Sequence, residues 1–299
     1  MNQINLSSDN LSGASEVVDK ACDIFEQHAD ELPGEEPLQA LRDIAWQIAA
    51  AQPRMAPLFN LANAVLTICQ DSQDRDELSV CIKETVLSIR EHKKSAEKSI
   101  VQHCRSLLSD GVVIGTISRS SMIMNTLVSL SQEEILFSVV LTESRPMDEG
   151  RQAATELADV QIPVTFMVDA AVQALVKKSD ILLVGADAFS ERAVTNKIGT
   201  HALALTAQHY GKPMYCISTM DKFLPKNIQL PAEPQHAAHE IWQQAPQSIS
   251  IWNHYFERTP ISLFEGIVTE KGCLEKNALV KIQKPVDPWL TEKLRAEAS

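Results

Sequence analysis

The sequence predicts an α/β protein, with a helical domain over residues 1–108 followed by a Rossmann-like open parallel sheet domain over residues 109–299. Three observations carry that prediction. Up to about residue 109 the apolar side chains recur at spacings of three, four and seven, the period of a helix face. After Asp110-Gly111 short apolar runs alternate with amphipathic stretches, the pattern of strands joined by helical crossovers. No proline or glycine interrupts the chain from Asp74 to Ser109, so one long helix is expected to link the two halves.

The elements follow in order. Val17, Val18, Cys22 and Phe25 form a first helical stripe, which Pro33-Gly34 ends. Leu38, Leu41, Ile44, Ala45 and Ile48 form a second, stopped near Pro53, and a third helix covers Leu58 to Cys69 after Pro57. Leu78, Ile82, Val86, Ile89, Ala96, Ile100, Cys104 and Leu107 continue one stripe along the long helix, interrupted only by Lys93. Such a helix far exceeds the mean of about three turns. Strands are expected at 112–115, 135–141, 163–168, 181–184 and 213–217, and helices near 120–130, 149–157, 170–178 and 197–210. Residues 222–247 are rich in proline and poor in periodicity, as an extended arm would be, and 264–272 hold a strand with a turn.

Composition excludes several classes of function. The net charge is −12 and the acidic residues are dispersed, which argues against a nucleic acid partner held through its phosphates. No apolar run reaches the roughly 20 residues of a membrane helix, so no membrane partner is expected. The first ten residues lack the basic and apolar regions of a secretory leader, which implies a cytoplasmic protein. The six cysteines, at 22, 69, 81, 104, 216 and 273, include no Cys-x-x-Cys and are expected to be buried free thiols rather than disulfides or zinc ligands. His236 and His239 are expected to be a surface pair, and no Cys or carboxylate set completes a metal site around them. No Gly-x-Gly-x-x-Gly or P-loop follows any strand, so neither cofactor nor metal is expected.

The candidate chemistry lies at the strand ends. The run 181–184 stops at Gly185-Ala186, and Asp187 stands just beyond it, where ligands bind in an open α/β sheet. Asn196-Lys-Ile-Gly-Thr200 is expected to open a helix, whose free N–H groups beside Lys197 suit a phosphate. Carboxylate and anion site together point to a phosphorylated small molecule. The plainer alternatives are that Asp187 forms a cap or turn and that Lys197 is solvated. In Thr116-Ile-Ser-Arg-Ser-Ser121, Ser118 or Ser120 either caps the next helix or faces a ligand. In Thr142-Glu-Ser-Arg-Pro146, Arg145 is held extended before the proline, to clamp an anion or to pair with Glu143. Asp169 is expected to be an N-cap.

Glu143-Ser-Arg-Pro146, Val168-Asp-Ala-Ala171, Val184-Gly-Ala-Asp187 and Asn196-Lys-Ile-Gly-Thr200, in this order, resemble the family of the initiation factor 2B alpha, beta and delta subunits. That family includes ribose-1,5-bisphosphate isomerase and methylthioribose-1-phosphate isomerase. Gln52-Pro53 with Asn63-Ala64, Phe256-Glu-Arg-Thr-Pro260 and Thr269-Glu-Lys-Gly272 extend the resemblance over about residues 40–283. It implies a phosphorylated sugar as ligand and a homodimer or higher oligomer. The isomerases use a cysteine after the first sheet strand and an aspartate in the Gly-Ala-Asp block. The aspartate corresponds to Asp187, whereas an ungapped alignment from Asp110-Gly111 puts Ser118 at the cysteine, Ile117 at a histidine and Ser121 at a lysine. A second alignment matches Ser118-Arg119 to the Ser-Arg of some regulatory subunits and needs a two-residue deletion before it.

Two functions are therefore expected. One is an aldose–ketose isomerase on a pentose 1-phosphate, with Asp187 and Ser118 catalytic and with Arg145, Ser120, Asn196 and Lys197 holding phosphate and hydroxyls. The other is a non-catalytic regulatory subunit of a guanine nucleotide exchange complex in translation initiation, or a metabolite sensor. The serine matters to that choice: a thiol of pKa near 8.5 exchanges protons at neutral pH, while a serine hydroxyl needs a strong base beside it.

Overall fold

The structure, a computed structural model, describes residue 6 and residues 14–297 apart from 73, 134, 227 and 229. The leader assessment concerned residues 1–10, which apart from Leu6 lie outside that set. Among the described residues no helix is long and apolar enough to cross a membrane. The chain forms two compact units, one of Met1–Ser95 with Asp221–Pro231 and Ile282–Ser299, the other of Ala96–Met220 with Ala232–Lys281. The division falls inside a helix, at residue 95 rather than 108, and two C-terminal segments join the helical unit.

The helical unit contains α1 (Ala14–Ala29), α2 (Pro37–Ala51), α3 (Ala56–Cys69) and most of α4 (Arg75–Arg105). Their periodic stripes meet in one core of Val17, Cys22, Phe25, Leu41, Ile48, Leu58, Leu78, Ile82 and Val86. Each such side chain contributes about 1.5–3 kcal/mol on burial. Lys93 breaks the stripe because its ammonium reaches Asp19 on α1 at 2.8 Å. Two buried asparagines on α3 fasten distant chain to it. Asn60 Nδ2 donates to the carbonyls of Asp221 and Phe223, while Asn63 Nδ2 donates to the Pro285 carbonyl at 2.9 Å and its Oδ1 accepts from the Asp287 N–H at 2.8 Å.

One expectation fails here. Cys69, at the end of α3, and Cys81, on α4, are joined in a disulfide, with Cα atoms 6.0 Å apart. The chain turns back between these helices and brings the two positions within bridging range, a consequence of packing that spacing alone does not display. Cys22, Cys104 and Cys216 are buried thiols outside any disulfide, and Cys273 is an exposed one.

The second unit is built on β1 (Val112–Thr116), β2 (Phe137–Thr142), β3 (Val164–Met167) and β4 (Ile181–Val184). Crossing between them are α5 (Ser121–Gln132), α6 (Glu149–Asp159) and α7 (Val172–Lys178). There follow β5 (Ala188–Phe189), β6 (Ala193–Lys197), α8 (Thr200–His209), β7 (Met214–Ile217) and β8 (Phe256–Pro260). The chain continues through β9 (Gly266–Thr269), β10 (Gly272–Leu274), α9 (Lys276–Lys281) and α10 (Pro288–Glu297), the last of which returns to the helical unit.

The main sheet has the order β10-β9-β7-β4-β1-β2-β3 and is parallel except for β10. From β1 the chain steps outward to β2 and β3, then returns to β4 on the opposite side of β1. That reversal opens a crevice between the carboxyl ends of β1 and β4. Ile100 and Cys104 of α4 pack with Ile114, Ile123, Leu127, Val139, Leu141 and Leu183 in this unit's core. Short 3-10 turns, Met220–Lys222 and Ala238–Glu240, lie at the start of the proline-rich arm and within it.

Candidate functional site

At the carboxyl ends of β1 and β4, two of the expected residues, Ser120 and Asn196, approach Gly185. Gly185, just past β4, lies so close to Ser120 that a Cβ there would stand 2.5 Å from Ser120 Oγ and 3.9 Å from Asn196 Oδ1. A side chain there would force Ser120 or the end of β4 to shift, and three of the quoted sequence blocks meet at that point. Ser120 caps α5, accepting from the Ile123 N–H at 3.5 Å, so it performs the plainer of its two expected roles while also facing Gly185. Ser118, half-buried, has a left-handed φ of 62° and donates its N–H to Ser144 Oγ at 2.7 Å. Asp187 is half-buried and donates its N–H to the Thr195 carbonyl at 2.9 Å, which joins the end of β4 to β6.

Asn196 and Lys197 do not open a helix. They end β6, which pairs antiparallel with β8 in the register Asn196↔Glu257 and Lys197↔Phe256. The helix starts later, at Thr200, after a turn in which Gly199 takes φ 100°. Its amino end is already occupied, because Glu257 Oε1 accepts from the N–H groups of Gly199 at 2.7 Å and His201 at 2.8 Å. Asn196 is buried and donates to Thr200 Oγ1 at 3.0 Å. Lys197 is not solvated: its side chain is 3% exposed, and Nζ meets Glu149 Oε1 at 2.7 Å. The same ammonium lies 5.2 Å from the centroid of the Tyr255 ring.

Arg145 does not pair with Glu143. Its guanidinium donates to the Glu240 and Ile241 carbonyls at 3.0 and 3.3 Å, which straps the arm to the loop after β2. Asp169 is not the expected N-cap: it is the first residue of the 3-10 turn Asp169–Ala171, whose cap position is Val168. Its carboxylate accepts from the N–H groups of Ser144 at 2.9 Å and Arg145 at 2.8 Å and thereby fixes the loop after β2. Gly150 then packs directly on the end of β2, where a Cβ would fall 1.8 Å from the Thr142 carbonyl oxygen, and this places Glu149 beside that strand end.

The arm supplies a second polar cluster that the sequence did not announce. Tyr255 donates its hydroxyl to Glu240 Oε2 at 2.6 Å, and Asn253 Nδ2 donates to the same oxygen at 2.7 Å. Burial, with the carboxylate beside it, pushes the Tyr255 phenol well above its usual range, and the tyrosine hydroxyl holds Glu240 below the usual carboxylate range. His236 stacks on Tyr255 with ring centroids 3.6 Å apart and meets Glu233 Oε1 at 3.0 Å, so it is half-buried rather than part of a surface pair. A cavity of about 310 Å³, lined by residues including Val128, Phe137 and Ile162, opens at the amino ends of β2 and β3, and none of the expected site residues lines it.

Among known proteins, the profile of the initiation factor 2 subunit family matches residues 10–276. A methylthioribose-1-phosphate isomerase of Populus trichocarpa is 34% identical over 205 residues, which cover 63% of this chain and 52% of that protein. The chain thus spans about half the length of that plant relative. A ribose 1,5-bisphosphate isomerase of Thermococcus kodakarensis is 27% identical over 224 residues, 72% of this chain and 70% of that one. Among solved structures, the translation initiation factor eIF-2B of Pyrococcus horikoshii OT3 superposes with a TM-score of 0.76 at 26% identity, over 90% of this chain and 94% of that one.

Proposed function

This chain belongs to the initiation factor 2 subunit family, and on that premise we propose that it binds a phosphorylated pentose at the carboxyl end of its main sheet. One observation carries the reading: Ser120, Gly185 and Asn196, from three separate stretches of sequence, converge on the crevice where the strand order reverses. Ser120 and Asn196 are the groups to meet sugar hydroxyls, Lys197 is the cation for the phosphate, and Arg145 orders the arm. If the chain is an aldose–ketose isomerase, like the relatives named for that activity, Asp187 carries the proton between C1 and C2 while the Ser118 hydroxyl donates a hydrogen bond to the oxygen that gains charge. Self-association of the sheet unit belongs to the same reading, and sedimentation checks it.

A second reading rests on Ser118. With a hydroxyl where the isomerases carry a thiol, the site lacks a group that exchanges protons readily at neutral pH. A regulatory subunit of an initiation factor 2B-like exchange complex, sensing a sugar phosphate without converting it, needs no such group. Calorimetry with ribose 1,5-bisphosphate, followed by a turnover assay, separates the two. Turnover that disappears in Asp187→Asn supports the isomerase, and binding without turnover supports the sensor. No binding at millimolar ligand sinks both.

A further inference from the structure

We propose that Glu149 sets the ligand charge this site accepts, by holding Lys197 in an ion pair that an incoming phosphate must break. The inference rests on the pentose-phosphate reading and adds a specificity-determining residue to it. Two of the three positive features that the sequence offers to an anion, the amino end of α8 and Lys197, hold a carboxylate of the chain itself, while the third, Arg145, is bonded to main-chain carbonyls. Glu257 occupies the amino end of α8, and Glu149 lies 2.7 Å from Lys197.

The two partners are unequally placed. The Lys197 side chain is 3% exposed and fixed at the end of β6, between Glu149 and the face of Tyr255. The Glu149 side chain is 32% exposed, at the first residue of α6, and has a route to solvent. A buried ammonium without a counter-charge is costly, so the pair stabilises the empty site. A phosphate ester seated on Lys197 sets its own negative charge beside that of Glu149, and like charges at such range oppose each other. The carboxylate therefore has to swing outward, and its loss from the pair weakens every phosphate ligand relative to a neutral one of the same shape.

The second oxygen of the carboxylate bears on the neutral part of the ligand. Glu149 Oε2 is buried and has no hydrogen-bond partner among the described residues. Such an atom is an acceptor awaiting a donor, and a sugar hydroxyl is one. Glu149 thus favours hydroxyls and disfavours phosphate.

Calorimetry with inorganic phosphate, ribose 1-phosphate and ribose tests this in the wild type, in Glu149→Gln and in Glu149→Asp. The glutamine keeps the size and removes the charge, and phosphate and ribose 1-phosphate are expected to bind about tenfold more tightly, as a charge-assisted contact freed from competition would. Ribose is expected to bind no better. Glu149→Asp folds with its charge intact but withdraws it from Lys197, and a smaller gain is expected. Phosphate affinities equal to or below wild type in the variants overturn the role of Glu149 alone. Absence of binding in all three proteins overturns the pentose-phosphate reading and this proposal with it.

Discussion

Ser118 donates its N–H to Ser144 Oγ at 2.7 Å, and both residues hold a left-handed φ of 62°. Neither is glycine, so each conformation costs of order 1 kcal/mol and persists only where neighbours enforce it. The hydrogen bond ties the loop after β1 to the loop after β2, and Asp169 fixes the second loop in turn. Ser144→Ala removes the acceptor, and a loss of about 1 kcal/mol in stability is expected, together with a smaller thermal shift on adding ribose 1-phosphate. Melting and ligand response like wild type would show that the tie does not position Ser118.

Gly185→Ala tests the crevice itself. The added methyl falls 2.5 Å from Ser120 Oγ, so Ser120 must leave its capping position or the end of β4 must move. Overpacking of this kind costs about 1–3 kcal/mol. Pentose-phosphate binding should fall below detection by calorimetry while the far-ultraviolet circular dichroism stays that of the wild type.

Arg145→Ala addresses the arm. Its guanidinium bonds to the carbonyls of Glu240 and Ile241, contacts made by an exposed side chain whose loss costs the global fold little. Faster hydrogen exchange or proteolytic cleavage confined to 232–254 is expected, with the melting temperature lowered only slightly. Unchanged protection there would mean that the Tyr255–Glu240–Asn253 cluster suffices to hold the arm.

Alkaline pH should unfold this protein through its buried thiols. Burial raises Cys22 to about 11 and Cys104 to about 12, from an ordinary value of 9.0. The folded state keeps these protons after the unfolded state has released them. Their contribution is complete below about 9 and is lost as pH climbs through 11 to 12. At about 1.4 kcal/mol for each unit of pKa difference, the two thiols together are worth on the order of 7 kcal/mol once both have ionised. Melting curves from neutral pH to about 11 should therefore fall more gently in Cys104→Ala than in the wild type. Parallel curves would remove the thiols as the cause.

What was legible in the sequence was whatever is local and periodic. The stripe Leu41, Ile44, Ala45 and Ile48 is buried as spaced, and Ile181–Val184 forms a strand at the expected residues. Ser120 stands after the first strand as the sequence indicates, whereas Asn196 reaches Gly185 from the end of β6 and not from the helix start the sequence suggests. What the sequence does not display depends on partners far along the chain. Ala193–Lys197 is a strand only because Phe256–Pro260 pairs with it, and no periodicity within five residues could announce that ladder. Lys197 looked like a solvated or anion-binding cation because nothing near it in sequence reveals Glu149. The Cys69–Cys81 bridge likewise follows from how two helices pack, not from the spacing of the cysteines.

The asparagine that fastens Pro285 and Asp287 to α3 also orders events during synthesis. The helical unit begins at the start of the chain, yet it needs Asp221–Pro231 and then Ile282–Ser299, whose Leu290 is fully buried in its core. A nascent chain leaving the ribosome amino end first therefore delivers every strand of the sheet before the last piece of the unit that precedes them. The usual succession, in which the leading domain folds first, would leave this unit without its last piece until Ile282–Ser299 is made. A fragment cut after residue 95 would expose the core positions that Leu290 and its neighbours cover, and excising this unit as a working piece requires joining the two late segments to it.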